Sequence, residues 1–576
     1  MTKKEIVAIL EEIGTILDLK GENPFKSRAY FTAARAIETQ VDDIVAMVES
    51  GEISAIKGIG KAISEKLTIL IQTGRLPYYD DLKNSIPDGL LDMLEIPGMG
   101  PKKVKAVYEK LQVASVGELE YACTENRLRD LEGFGQKSQD KILEGIQLRK
   151  KYRERFHFHI ARMEAETVGE YLRKNSKINR MEFAGSLRRK KETIKDIDFV
   201  ASCRDEDRKT IMDYFVDYPG KVTVTGHGET KSAMVLSSGM VCELRLVSDD
   251  QYPFLLHHST GSKEHNTSLR QRAKKMNLTM NEYGLFNIGS DQSILCDDEK
   301  AIFSKLNLNY IPPELRENNG EIESAEQGEI PELVMPDQLR GIFHVHTTHS
   351  DGAASVKEMA TACKKLGLTY IGITDHSKSA FYANGLTEDR VKKQHDEIDS
   401  LNDELKDFTI FKGIEADILP DGRMDFDDTV LASFDFVIAS VHSSFNMSEE
   451  DMTQRICRAL ENRFVTMLGH PTGRLLLGRE AYPVDMKKVI ETAAKFNKII
   501  EINANPYRLD LDWRWGRFAN ELEVKTSINP DAHSVEGLKD IEIGIGIARK
   551  GWFNAGSVFN TYPVEKIKSE LIRMRE

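Results

Sequence analysis

From the N-terminus to about residue 150, apolar residues recur every three or four positions and glycines punctuate them, which predicts packed helices. From about 156 to 315 the period shortens in places. "NRMEFAGS", "IDFVAS", "KVTVTG" and "VCELRLV" read as strands set among helices, an α+β texture. Residues 317–333, "ENNGEIESAEQGEIPEL", are acidic, polar and free of aromatics, so they read as a linker. Beyond them short apolar runs alternate with helical stretches: "TYIGITDH", "FTIFKGIE", "FDFVIASVH", "FVTMLGH", "KIIEINAN" and "VKTSINPDAH". That alternation predicts a parallel α/β architecture.

Composition narrows the picture. At roughly 150 residues per domain, 576 residues suggest about four domains. A net charge of −13 excludes a uniformly basic coat, so any nucleic-acid contact must come from local patches, such as "LRKKYRER" at 148–155, or from backbone amides. The six cysteines include no Cys-x-x-Cys pair, which fits a reducing compartment and neither a disulfide framework nor a zinc knuckle. The opening "MTKKEIVAILEEIGTILDLK" carries acids at helical spacing and is no signal peptide, and no apolar run is long enough to span a bilayer. A cytoplasmic protein without a membrane partner is the expectation.

The candidate chemistry sits where the C-terminal apolar runs end. His376, Glu415, His442, His470, Asp531 and His533 each lie at or just past such an end, and "GIFHVHTTHSDG" adds His344, His346 and Asp351. In a (β/α) barrel the strand C-termini converge on one face, so nine donors would meet in one pocket. A lone histidine at a strand end is more often an ordinary polar residue; nine donors at successive ends are not explained that way. Imidazoles and carboxylates without thiolate suit Mn²⁺, Zn²⁺ or Fe²⁺ rather than a structural zinc. The His-x-His pair on a strand would place both rings on one face. Closely spaced ions can generate hydroxide and neutralise phosphate charge. Asp375, Asp417, Asp421 and His349 stand nearby as supporting or loop residues.

"HVHTTHSDG", "TDHS", "GIEADIL", "SVHS", "GHPTGR" and "DAHS" resemble the motifs of the PHP (polymerase and histidinol phosphatase) domain, over roughly 336–576. The resemblance implies a distorted (β/α)7 barrel that binds up to three ions, Mn²⁺ or Zn²⁺, and hydrolyses phosphoesters. Its implied ligands are His344, His346, Asp351, His376, Glu415, His442, His470, Asp531 and His533. One departure is Ile342, where the family often has Asp.

Three times a Gly-hydrophobic-Gly precedes a helical stretch: "IKGIGKAISEKL", "IPGMGPKKVKAVYEKL" and "LEGFGQKSQDKIL". Such loops can aim backbone N–H groups at a phosphate, although a single copy reads equally as a glycine helix cap. The copies resemble helix-hairpin-helix motifs, with Gly58, Gly60, Gly98, Gly100, Lys102, Lys103, Gly133 and Gly135 as candidate DNA-binding positions; Lys105 lies beside them. "KGENPFKSRAY" with the first hairpin resembles the small N-terminal domain of family X DNA polymerases. Lys66 matches the position at which relatives carry a Schiff-base lysine; an ordinary surface lysine is the competing reading.

"GSLRRKKETIKDIDFV" resembles the nucleotidyltransferase signature of the same family. Asp196 and Asp198 share one side of a strand and could hold two ions, Mg²⁺ or Mn²⁺, around an incoming dNTP. Gly185 and Ser186 would admit its phosphates and Arg189 would pair with them. "GSKEHN" and "NEYGLF" extend the likeness over nearly the whole chain. Yet Glu243 stands where the third acid is normally Asp, His258 and Ser259 replace an aromatic pair, and Lys190 and Lys195 replace glycines. One extra methylene shifts a carboxylate by ~1.5 Å, which can cost about a hundredfold in rate.

The domains expected are a helical N-terminal domain (1–85), a second helix-hairpin-helix region (86–155), a nucleotidyltransferase palm (156–240), the end of the palm with a thumb-like region (241–316), the acidic linker (317–335) and the PHP domain (336–576). The function expected is a DNA-repair enzyme acting on gapped, nicked or 3′-ended duplex, with a 3′–5′ exonuclease in the PHP domain and gap-filling polymerisation, weakened by these departures, in the core. The alternatives are a small-molecule phosphatase with a degenerate polymerase half and a non-catalytic DNA-binding scaffold.

Overall fold

The computed structural model describes residues 3–39, 44–49, 52–56, 58–87, 89–129, 131–150, 155–289 and 292–576. Of the basic run 148–155, residues 151–154 lie outside the described residues. The chain divides into two compact units, Met1–Lys150 and Lys151–Glu576.

The first unit is helical. In helix Lys3–Lys20 the apolar positions Ile6, Leu10, Ile13 and Leu17 fall on one face and are buried. They join a core with Tyr30, Ala33, Ala34 and Ile37 of helix Pro24–Thr39, and with Ile63, Leu67 and Leu70 of helix Lys61–Thr73. Helices Pro101–Leu111, Val116–Thr124 and Gln136–Lys150 carry the other two hairpins.

The second unit opens with a mixed five-stranded sheet. Its central strand, Asp196–Ser202, pairs antiparallel with Arg180–Phe183 and parallel with Val241–Val247. Val241–Val247 continues into Lys231–Leu236 and Lys221–His227. The segment from Tyr252 to Gln327 supplies further helices and a small hairpin around its own core.

Seven parallel strands follow in sequence order, Gly341–Val345, Tyr370–Ile373, Thr409–Asp417, Phe436–Ser440, Met467–Leu468, Ile499–Asn503 and Thr526–Asn529. A bridge from Val345 to Ala532 brings the last back toward the first, nearly closing a barrel. Phe343, Phe411, Phe436 and Met467 cluster with Ile567 and Leu571 of helix Val564–Arg573. Among the described residues no helix is long and apolar enough to cross a membrane.

The segment read as a linker is built into the fold. Glu321–Gln327 is a helix, and Ile322, Leu333 and Val334 are buried. Glu317 pairs with Arg189 and Lys550, and fully buried Glu321 holds His265 at 2.6 Å. The acids that read as solvating charge are thus partners of cations far away in sequence, which local composition does not reveal. Palm and barrel residues also share one hydrophobic core, so no spacer separates them.

Candidate functional site

The barrel's nine expected donors converge. Ligand atoms of four sets lie within 4.8 Å of one another: His346, Asp351, His376 and His533; His344, Glu415 and His470; His344, His346 and Asp531; and His376, Glu415 and His442. Glu415, at the heart of the cage, approaches His470 at 2.8 Å, His376 at 2.9 Å and His442 at 3.1 Å.

Backbone strain helps to build this cage. His344, His470 and Asp531 have φ of 58°, 23° and 51°, a region disfavoured for residues with a Cβ. At His344 the twist breaks strand alternation. Ile342 and Val345 pack in the main core, while Phe343 joins the barrel's second cluster. The register slips between Ile342 and Val345, so the regular His-x-His geometry is modified. Both rings still meet, with centroids 5.3 Å apart. Ile342 is fully buried.

Carboxylates around the cage orient its rings. Glu501 accepts from His344 Nδ1 at 2.6 Å, from the His470 backbone N–H at 2.7 Å and from Asn529 at 2.9 Å. Asp417 holds His442 Nδ1 at 2.6 Å. Asp375 accepts from Thr347 and Ser350, bracing the loop that carries Asp351. Asp421 instead pairs with Arg423 at the surface, and His349 with Glu397. Glu501 escaped the sequence reading; an acid inside the apolar run "KIIEIN" was the signal for it.

The charges are sharply divided. Burial, with neighbouring imidazoles, pushes His346 down to about 3, and burial with Arg508 pushes His470 down to about 4. Against burial, Glu415 and Asp417 lift His442 to about 10, and Glu501, Asp531 and Glu415 raise His344. Burial disfavours the charged form of Glu415, but His442 and His344 hold it below the usual carboxylate range. His344 Nε2, His346 Nε2, His376 Nε2 and Glu415 Oε2 are buried and make no hydrogen bond. Buried polar atoms are normally satisfied, so these orphans fit the coordination of cations.

The palm holds a second acidic centre. Asp196 and Asp198 lie on the central strand, and Asp198 is in register with Glu243. Burial and the charges of Asp196 and Glu243 raise Asp198 to about 7. Lys231, which the sequence reading missed, meets Glu243 at 2.8 Å. Gly185 has φ of 59°, and a Cβ there would come 2.2 Å from Asp198 Oδ2, so only glycine allows this approach. Ser186 lies in the short helix Gly185–Arg188 that follows. Arg189 donates to Glu317 at 3.1 Å and to the Thr260 carbonyl. Lys190 sits over Phe158, 5.3 Å from the ring centroid, with its stem against Gly546, while Lys195 is exposed. Partial burial lowers His258. Ser259 Oγ makes no hydrogen bond.

The three hairpins repeat one geometry. Gly58, Gly98 and Gly133 have φ of 105°, 92° and 83°. Gly60, Gly100 and Gly135 each accept at the start of the next helix, from Ser64, Val104 and Gln139. Around Gly60, Gly98, Gly100, Gly133 and Gly135 a Cβ would meet nothing within 4 Å, which leaves these loops open to a ligand. Lys103 bridges two hairpins through Ser138 Oγ at 2.8 Å and the Phe134 ring, and Lys102 is exposed. Lys66 lies 4.7 Å above the Tyr78 ring, and Tyr78 stacks with Tyr30.

Comparison with known proteins agrees with this layout. Family models match a helix-hairpin-helix domain at residues 1–76, a SAM-like helix-hairpin-helix tandem at 90–148, a DNA polymerase beta thumb at 255–317 and a PHP domain at 343–505. The DNA polymerase/3′-5′ exonuclease PolX of Bacillus subtilis (strain 168) is 40% identical over 575 residues, 100% of both chains. A probable phosphatase of Thermoanaerobacter sp. (strain X514) is 29% identical over 242 residues, 40% of this chain and 92% of its own. A probable phosphatase of Acetivibrio thermocellus is 31% identical over 202 residues, 33% of this chain and 78% of its own. The phosphatase likeness covers the PHP part alone.

Proposed function

The chain belongs to the DNA polymerase/3′-5′ exonuclease PolX family, and on that premise we propose that it is a DNA-repair enzyme whose barrel cage shortens DNA 3′ ends while its palm fills gaps. The observation that carries the reading is the cage: nine donors drawn from six of the seven strand ends, several with orphaned lone pairs.

Mn²⁺ or Zn²⁺ in the cage would supply Lewis-acid charge and lower the pKa of a water, the usual means of splitting phosphodiesters near neutral pH. His344, His346, Asp351, His376, Glu415, His442, His470, Asp531 and His533 would hold up to three such ions. Glu501 and Asp417 fix the free ring nitrogen of His344 and of His442, so that the opposite nitrogen faces inward. Thr347, Ser350 and Asp375 keep Asp351 on a braced loop rather than a mobile one.

In the palm, Asp196, Asp198 and Glu243 would hold Mg²⁺ or Mn²⁺ for dNTP binding. Lys231 compensates Glu243 in the structure as it stands, and Arg189 is engaged by Glu317. Both contacts would have to be exchanged for a nucleotide, which supports weakened rather than vigorous synthesis. The open glycine loops support DNA binding by backbone amides despite the acidic composition.

A small-molecule phosphatase is favoured by the probable phosphatases alone, and those leave the hairpins and palm without a role. The test is a labelled gapped duplex with Mn²⁺, compared with a soluble phosphate monoester. Shortening of the DNA in preference to hydrolysis of the monoester is expected. The opposite preference overturns the reading.

A further inference from the structure

Among the described residues, Phe381 is the most exposed large hydrophobic side chain, 88% open to solvent. A single exposed apolar residue is ordinary on a protein surface. What sets this one apart is its mounting. Phe381 opens a short 3-10 turn, Phe381–Ala383, five residues after the cage residue His376.

The loop is closed and braced on all sides. Leu386 donates its backbone N–H to the His376 carbonyl at 2.7 Å, so the loop returns to the cage residue from which it left. Asp425 accepts from Ser377 Oγ at 2.7 Å and from the Ser379 N–H at 3.0 Å. Arg390 donates to the carbonyls of Asn384 at 2.8 Å and Gly385 at 3.1 Å. A Cβ at Gly385 would come within 1.9 Å of the Ser377 carbonyl oxygen, so the loop's two limbs touch. Ala380, Ala383 and Leu386 are buried beneath. A backbone held this firmly presents its tip without the cost of ordering a loop on binding.

The neighbouring ring ties the tip to the chemistry. Tyr382 lies edge-on to His376, ring centroids 6.2 Å apart. Phe381 and Tyr382 are adjacent in the same turn, so the loop that carries the exposed ring is the loop that borders the cage. Lys378, on the same loop, adds a half-exposed cation that pairs with exposed Glu388 at 3.5 Å and lies over the Phe426 ring. An aromatic face with a nearby cation, next to a phosphodiester-cutting cage, has the chemistry of single-stranded nucleic-acid recognition.

We propose that the Lys378–Leu386 loop is a nucleobase platform, on which Phe381 stacks with an unpaired base at the DNA end and so selects single-stranded or frayed ends for the cage. The inference rests on the phosphodiesterase reading of the cage. Stacking tolerates any base, since every base has a π-face, so the selection is for strand state and not for sequence.

The test uses the full chain without added divalent ions, and a single-stranded oligonucleotide ending in 2-aminopurine, whose fluorescence falls on stacking. Wild type is expected to quench the terminal probe. Phe381→Ala is expected to lose that quenching and to bind about tenfold more weakly, the loss of one ordinary stacking contact. Phe381→Trp should restore both and Phe381→Leu should not, which separates stacking from mere hydrophobicity. Because the side chain is exposed, thermal melting should match wild type in all three variants. Unchanged quenching or unchanged affinity in Phe381→Ala, or full activity of Phe381→Leu in these readouts, overturns the platform. Hydrolysis of bis(p-nitrophenyl) phosphate with Mn²⁺, and its loss in His344→Ala, tests the cage separately. Failure there overturns the phosphodiesterase reading rather than the stacking one.

Discussion

At the scale of single residues, the cage depends on groups that never need touch the substrate. Glu501 fixes a ring nitrogen of His344, the backbone of His470 and the amide of Asn529 at once. Glu501→Gln removes the charge and keeps the shape. Loss of such a supporting carboxylate typically costs about 10–100-fold in metal affinity, and Mn²⁺ titration of the purified variant should show a fall of that size. In the palm, burial beside Asp196 and Glu243 raises Asp198 to about 7. Its folded value lies above its unfolded value, so the ionised form destabilises the metal-free fold. The penalty is present above about pH 7 and absent near pH 4, where the folded group is protonated. Asp198→Asn should therefore raise the melting temperature of the metal-free enzyme at pH 8 and change it little at pH 4. Glu243→Asp, which shortens the third acid, should raise gap-filling, by up to about a hundredfold if misplacement limits the rate.

At the scale of elements, the hairpins are defined by backbone angle more than by side chain. Gly98 has φ of 92° and no neighbour within 4 Å of a Cβ, so Gly98→Ala introduces strain of about 1–2 kcal/mol without a clash. The expected outcome is a weaker DNA complex, read by fluorescence anisotropy, with a much smaller change in the salt dependence than Lys102→Ala or Lys103→Ala produces. These elements were legible in the sequence because a repeated Gly-hydrophobic-Gly is short-range information. Six of the seven barrel strands were legible for the same reason, with an acid or an imidazole at or just past the strand end; Ile499–Asn503 ends on asparagine. The left-handed twist at His344 was not, since the dipeptide pattern is compatible with a regular strand and only closure against Ala532 imposes the slip. Glu317 and Glu321 misled because their partners, Arg189, Lys550 and His265, lie far from them in the chain or outside the acidic stretch.

At the scale of the whole second unit, the nucleotidyltransferase signature is sewn to the barrel. Glu192 accepts from the Trp513 indole at 3.1 Å and lies 3.9 Å from Arg474. Fully buried Lys550 donates to the Arg189 carbonyl at 3.0 Å and stands over Trp513. His157 bonds the Leu476 carbonyl at 2.8 Å. A seam of this kind predicts that palm and barrel melt together. Trp513→Ala should destabilise both by about 3 kcal/mol, the usual scale for deleting a buried aromatic. Calorimetry should then show their common transition moving to lower temperature without splitting. Two transitions moving apart would mean that the seam is not an energetic link. Its position also gives Lys190, one of the two lysines that stand in place of family glycines, a role: Lys190 packs against Gly546 and its neighbour Lys191 lies over Trp513, so part of this motif serves the junction.

The central claim is that one cage in the barrel cuts DNA. Its most direct test is the shortening of a 3′-ended strand, labelled at its 5′ end, in a gapped duplex with Mn²⁺ and no dNTPs, by wild type and by His344→Ala. Wild type should trim the strand from its 3′ end, and His344→Ala, which removes a donor shared by two of the clustered sets, should leave it at full length. Trimming by His344→Ala at the wild-type rate would contradict the account.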